Sequence, residues 1–279
     1  MSVVFLTAIG VGGATVIGAL IGFLFRGLSH KFSNLIVSFA AGIMLSAAVL
    51  GLILPSIEYG GDFGVAVAVL GILVGGICIN LSDRLVPHIQ KIVAPRPSDL
   101  PTASPRGEGL RGERPLISRS ATASPRGEAF SGSTVKGVLL FVIAIGIHNL
   151  PEGLAAGVSF GTDNVAQAMA VAIGIALQNI PEGMIIIAPL LSAGMSRGRT
   201  LAIAMLTGLV EVVGTLIGYF AVSISTAVLP FFLAFAGGIM LYIISDEMLL
   251  ETHHDNERGA TYSLLAGFCL MLVVDVLLG

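Results

Sequence analysis

The sequence predicts an all-α integral membrane protein with eight transmembrane helices. Three observations carry that expectation. Hydrophobic residues make up 55% of the 279 and charged residues only 11%, against about 25% in an average soluble domain. Mean hydropathy is +0.95. Apolar runs of about 20 residues, enough to cross a hydrocarbon core of roughly 30 Å, recur along the chain. So little charge cannot cover a water-exposed surface, so a lipid bilayer is the expected partner. The net charge of −3 includes no basic domain suited to nucleic acid. Cys78 and Cys269 are too few for a thiolate cluster and are expected to be small buried hydrophobes.

The eight predicted spans are 3–25, 33–56, 64–87, 135–159, 165–190, 200–222, 228–250 and 260–278. The first lacks a basic leader and a cleavage site and reads as a retained helix. Charge between spans sets the orientation. Arg26 and Lys31 follow the first span, Arg84 and a basic segment the third, Arg197 and Arg199 the fifth, and Arg258 the seventh; Lys136 opens the fourth. All fall on one side of the membrane. Lys and Arg favour the cytoplasmic side, so both termini are expected to be extracellular or lumenal.

One transmembrane domain is expected, with spans one to three in 1–90, a disordered cytoplasmic loop over 91–133, and spans four to eight in 134–279. The loop is rich in Pro, Ser, Arg and Gly and has too little apolar surface to offset the entropy of ordering. It repeats Thr-Ala-Ser-Pro-Arg-Gly-Glu at 102–108 and 122–128, where Ser104 and Ser124 each precede a proline. A second echo lies within the spans. Phe39-Ala40-Ala41-Gly42-Ile43-Met44-Leu45 in span two matches Phe235-Ala236-Gly237-Gly238-Ile239-Met240-Leu241 in span seven. By charge, these spans run in opposite directions. An inverted repeat relating spans 1–3 to 6–8 around spans 4 and 5 is therefore expected, with a substrate site near mid-membrane. Gly18 and Gly22, like Gly214 and Gly218, stand one turn apart and mark close helix packing.

Polar groups within the spans point to the function. His148-Asn149-Leu150-Pro151-Glu152-Gly153 is echoed by Gln178-Asn179-Ile180-Pro181-Glu182-Gly183. His148 and Glu152 share a helix face, and span six adds Glu211. Three carboxylates in a low-dielectric layer with no Lys or Arg at their depth repel one another unless protonated or neutralised by a cation. Pro151 and Pro181 lack an amide donor and crowd the carbonyls of Ile147 and Leu177, which would be left partly free to face an ion or water. One imidazole with carboxylate and amide oxygens suits Zn²⁺, Fe²⁺, Mn²⁺ or Cd²⁺ better than Ca²⁺ or Cu⁺.

The paired phrases resemble the signature of the ZIP (Zrt/Irt-like) divalent-metal transporters, in the GufA/ZupT-like branch that includes human ZIP eleven. The resemblance covers nearly the whole chain and implies a mid-membrane binuclear site. His148, Glu152, Gln178 and Glu182 match its first metal position, where Met44 matches a thioether ligand. Asn149, Asn179 and Glu211 match the second, with Glu152 and Glu182 bridging. Asp246, Glu247, Glu251, His253 and His254 match an acidic and histidine cluster near the cytoplasmic exit. The resemblance also implies elevator-type alternating access and a homodimer. Many relatives have His at Gln178 and some have Asp at Asn179, so one tight metal beside a weak or transit position stays open next to two. The expected function is uptake of a divalent transition metal, Zn²⁺ first, toward the cytoplasm across the plasma membrane or an intracellular one. The alternatives are an intramembrane metalloenzyme, although the zinc-hydrolase His-Glu-x-x-His pattern is missing, and a metal-gated channel or sensor.

Overall fold

The computed structural model describes residues 2–25, 29–93, 135–192, 194–252 and 258–278. Among them the chain forms eight long helices and no strand. These are α1 (Ser2–Leu24), α2 (His30–Ser46 continuing through Ala47–Ile53 and Leu54–Tyr59), α3 (Gly64–Val93) and α4 (Val135–Ser159). They continue as α5 (Val165–Ser192), α6 (Arg197–Ile224), α7 (Leu229–Ile243 continuing through Ile244–Met248 and Leu249–Thr252) and α8 (Arg258–Leu278). Seven of the eight, all but α4, are among the described helices long and apolar enough to cross a membrane, and α4 has 25 residues. Of the loop predicted over 91–133, residues 91–93 belong to α3, which runs on as helix through Val93, and the rest lies outside the described residues.

Local chemistry sets the helix ends. The Ser29 and Ser196 hydroxyls accept from the backbone N–H of Phe32 and Arg199 and cap α2 and α6. Asn164 does the same for Gln167 at the start of α5. Gly194, at φ +81°, takes the left-handed conformation that turns the chain after α5. Pro151 and Pro181 both lie inside helices that continue through them.

The inverted repeat is visible in the packing. α1 packs along α5 as α6 packs along α4, and α2 packs along α8 as α7 packs along α3. The two crossings between these sets, α2 on α5 and α7 on α4, are also paired. The α1–α6 contact lies on the pseudo-two-fold, where a Cβ on Gly12 would strike the Gly208 carbonyl and a Cβ on Gly208 the Gly12 carbonyl. Gly42 abuts the carbonyl of Leu264, and its counterpart Gly238 abuts that of Ile72. Both matching phrases run into a π-helical stretch, Ala47–Ile53 in α2 and Ile244–Met248 in α7. π-turns inside helices concentrate at functional sites, and these two sit at equivalent places in the repeats.

Two four-helix groups result, α1/α4/α5/α6 and α2/α3/α7/α8, with an alanine-rich core between them that includes Ala40, Met44, Ala48, Ala155, Val171, Ile175, Ala236 and Met240. The outer faces carry exposed Phe5, Leu6, Val69, Leu73, Leu209, Ile217, Phe220, Val273 and Val276. An apolar surface of that extent suits acyl chains and not water. Cys78 and Cys269 are exposed on these faces and not buried as expected. A thiol is apolar enough to lie against lipid, so the composition of its run did not decide which way it faced.

Candidate metal centre

The glycine that ends each repeated phrase lets two helices touch at the site. A Cβ on Gly153 would lie 2.2 Å from the Glu211 carbonyl, and one on Gly183 would lie 2.1 Å from the Thr15 carbonyl. α4 is thereby pressed against α6 at Glu211, and α5 against α1 at Thr15. These approaches bring Asn149 and Asn179 to the same carboxylate. Asn149 Nδ2 donates to Glu211 Oε1, and Asn179 Nδ2 donates to Glu211 Oε2 at 2.6 Å. Thr15 Oγ1 donates to Glu211 Oε1 at 2.6 Å, and Asn179 Nδ2 also donates to the Val11 carbonyl at 3.2 Å. Glu211 is fully buried and held by three neutral side chains from three helices.

The other predicted residues gather beside this knot. Glu152 is buried, with Glu182 and Glu211 as its acidic neighbours. Gln178, also buried, lies against Glu152 outside hydrogen-bonding geometry. Glu182 is half-buried and faces both His148 and Glu247. His148 Nε2 stands 2.7 Å from Glu247 Oε1. Among the described residues, His148 is the only basic neighbour of the three carboxylates. Met44 is fully buried in the core between the two groups of helices.

Several buried polar atoms here have no hydrogen-bond partner: Glu152 Oε2, both amide atoms of Gln178, and Asn179 Oδ1. Such atoms are rare in folded proteins and call for a ligand, an ion or water. The donors are nonetheless not drawn into a chelate. Among the described residues, no three of His, Cys, Asp and Glu are placed to hold an ion together. They are divided between the Glu211 knot and the His148–Glu247 contact.

The predicted exit cluster is only partly described. Asp246 is exposed and Glu247 is half-buried. Glu251 is on a helix but its side chain is not among those described, and His253 and His254 lie outside the described residues. Glu247 belongs with His148 as much as with an exit. Sequence reasoning missed Thr15 and the Val11 carbonyl altogether. The repeat register held the signal: Thr15 and Glu211 are 196 residues apart, the spacing that also relates Gly12 to Gly208, Gly18 to Gly214 and Met44 to Met240. Asp275 in α8 is a further carboxylate within a predicted span that was passed over.

A ZIP zinc transporter family model matches residues 1–275. The chain is 35% identical over 275 residues to the zinc transporter GufA of Myxococcus xanthus, covering 96% of each. It is 34% identical over 274 residues to the zinc transporter ZupT of Chlorobaculum parvum, covering 96% of this chain and 94% of that one. It is 31% identical over 328 residues to the human zinc transporter ZIP11, again covering 96% and 94%.

Proposed function

The chain belongs to the ZIP zinc transporter family, and from that premise we propose that it carries Zn²⁺ across its membrane toward the cytoplasm through the polar centre of α4, α5 and α6. It is a transporter and not an enzyme. The observation that carries the site is the set of buried acceptors without donors, Glu152 Oε2, Gln178 Oε1 and Asn179 Oδ1, beside three carboxylates. A divalent cation satisfies those lone pairs and offsets the repulsion together, which a water molecule does not.

In this reading Met44, His148, Glu152, Gln178 and Glu182 take the ion. Asn149, Asn179 and Glu211 form a second position, reached through Glu152 and Glu182. His148 binds only after leaving Glu247, so Glu247 competes with the ion for the imidazole. That competition keeps affinity moderate, as a carrier that must release its cargo requires. Cd²⁺, Fe²⁺ and Mn²⁺ meet the same donors. Alternating access follows if α1/α4/α5/α6 moves against α2/α3/α7/α8 across the apolar core they share. The distribution of Lys and Arg supports termini that are extracellular or lumenal, and so uptake toward the cytoplasm, through the plasma membrane or an intracellular one; family resemblance supports a homodimer.

Uptake of radiolabelled zinc into proteoliposomes tests this. Protein carrying Glu152→Ala with Glu182→Ala is expected to lose both uptake and equilibrium zinc binding. Uptake at the wild-type rate in that double variant overturns the assignment.

A further inference from the structure

We infer that α1 helps present the site to its ion: Thr15 is a positioning residue whose hydroxyl, with the Val11 carbonyl one turn earlier, fixes Glu211 and Asn179 so that Asn179 Oδ1 is the amide atom left for the cargo.

The contrast with other threonines in the same fold carries the argument. A helical threonine ordinarily turns its hydroxyl to a carbonyl one turn back. Thr215 does so toward Glu211 O at 2.9 Å, Thr252 toward Met248 O at 2.9 Å and Thr200 toward Ser196 O at 3.1 Å. Thr15 is only 1% exposed, yet its hydroxyl reaches across to Glu211 Oε1 at 2.6 Å. The Val11 carbonyl it would ordinarily take accepts instead from Asn179 Nδ2 at 3.2 Å.

That exchange decides the amide's orientation. Asn179 Nδ2 meets a carboxylate oxygen and a backbone carbonyl oxygen. Flipping the amide would set oxygen against oxygen on both sides, so the hydrogen-bond network allows one orientation. Asn179 Oδ1 is consequently turned away from Glu211, buried and without a partner. Glu211, meanwhile, is committed to Thr15, Asn149 and Asn179. Removing the Thr15 hydroxyl leaves Glu211 Oε1 with Asn149 alone, frees the carboxylate to shift, and releases the constraint on Asn179. The pseudo-two-fold gives the pairing its origin, because Thr15 occupies in α1 the position Glu211 occupies in α6.

The inference rests on the transport reading above, and the experiment keeps the two apart. Zinc uptake by full-length protein in proteoliposomes is measured for wild type, Thr15→Val, Thr15→Ser, and each of these in a Glu211→Gln background. Valine matches threonine in shape but lacks the donor. A charge-assisted bond to a buried carboxylate is lost, so KM is expected to rise about tenfold or more. Serine restores the donor and should bring KM back near wild type. With Glu211→Gln already in place, Thr15→Val should add little, because the pair acts as a unit. If valine prevents folding, Thr15→Ala, which introduces no clash, replaces it in the same cycle with the same expectation. A wild-type KM in the donor-lacking variant, equal impairment by serine, or an undiminished effect in the Glu211→Gln background overturns the role given to α1. Absent uptake by wild-type protein sinks the transport reading instead.

Discussion

Replacing Gly183 by alanine tests how tightly the site depends on helix approach. The new Cβ would sit 2.1 Å from the Thr15 carbonyl oxygen, 2.9 Å from Ala19 N and 3.0 Å from Thr15 C. An ordinary contact needs about 3.5 Å, so the Cβ and the Thr15 carbonyl oxygen must move apart by about 1.4 Å. The obstructing atoms belong to backbone and cannot rotate aside. Overpacking of this kind costs about 1–3 kcal/mol, reduced by the roughly 0.5–1 kcal/mol that alanine gains over glycine within a helix. A net loss of up to about 2.5 kcal/mol is expected. Function should suffer more than stability, because the same separation pulls Asn179 from Glu211 and Val11. The control lies in α1 itself: Gly13 has nothing within 4 Å of its ideal Cβ, so Gly13→Ala should be neutral or slightly stabilising. Thermal unfolding in detergent and zinc uptake per folded molecule are measured for both. Indistinguishable behaviour of Gly183→Ala and Gly13→Ala would refute the claim that these approaches build the centre.

Other expectations are independent of that one. Met44→Leu nearly conserves volume at a fully buried position and should cost less than about 1.5 kcal/mol in stability; if the thioether touches the ion, Cd²⁺ uptake should fall more than Mn²⁺ uptake, read by competition in proteoliposomes. Asn179→Asp replaces the nitrogen 2.6 Å from Glu211 Oε2 with an oxygen, setting two acceptors face to face. The variant should melt below wild type in chelator and show a larger thermal shift on adding zinc, because an ion that binds only the folded state stabilises it by mass action; equal shifts in the two proteins would argue that no ion approaches Asn179.

Much of the fold was legible because a bilayer imposes simple rules on length and polarity. Runs of about 20 apolar residues gave the helices, and the match of Phe39–Leu45 to Phe235–Leu241 gave the inverted repeat. The phrases ending in Gly153 and Gly183 gave the helices that carry the centre. What stayed hidden depended on backbone geometry. Ala47–Ile53 contains no proline, and its one glycine, Gly51, is ordinary in a chain with 36 of them, so its residues did not announce a π-helical stretch. In α7 the equivalent stretch, Ile244–Met248, carries Glu247, which the sequence placed toward the cytoplasm and the structure places against His148. Thr15 escaped for a different reason. A threonine among glycines and alanines reads as packing, and only the repeat register sets it opposite Glu211. Asn149 and Asn179 were expected to offer oxygen to an ion; that each also turns its nitrogen toward Glu211 is a choice made by three helices at once and written in none of them.

The inverted repeat bears on directionality. Were the two halves chemically identical and access alternating as proposed, exchanging their conformations would turn the protein to face the opposite compartment at no difference in energy, and neither orientation would be favoured at rest. Any standing bias must therefore originate where the halves differ. Among the ionisable residues of the centre those places are His148 against Gln178, Glu211 against Thr15, and Glu247 against Gly51. In each pair the ionisable member falls in the half built from α4, α6 and α7, so the same residues that would attract the ion also break the degeneracy between facing in and facing out.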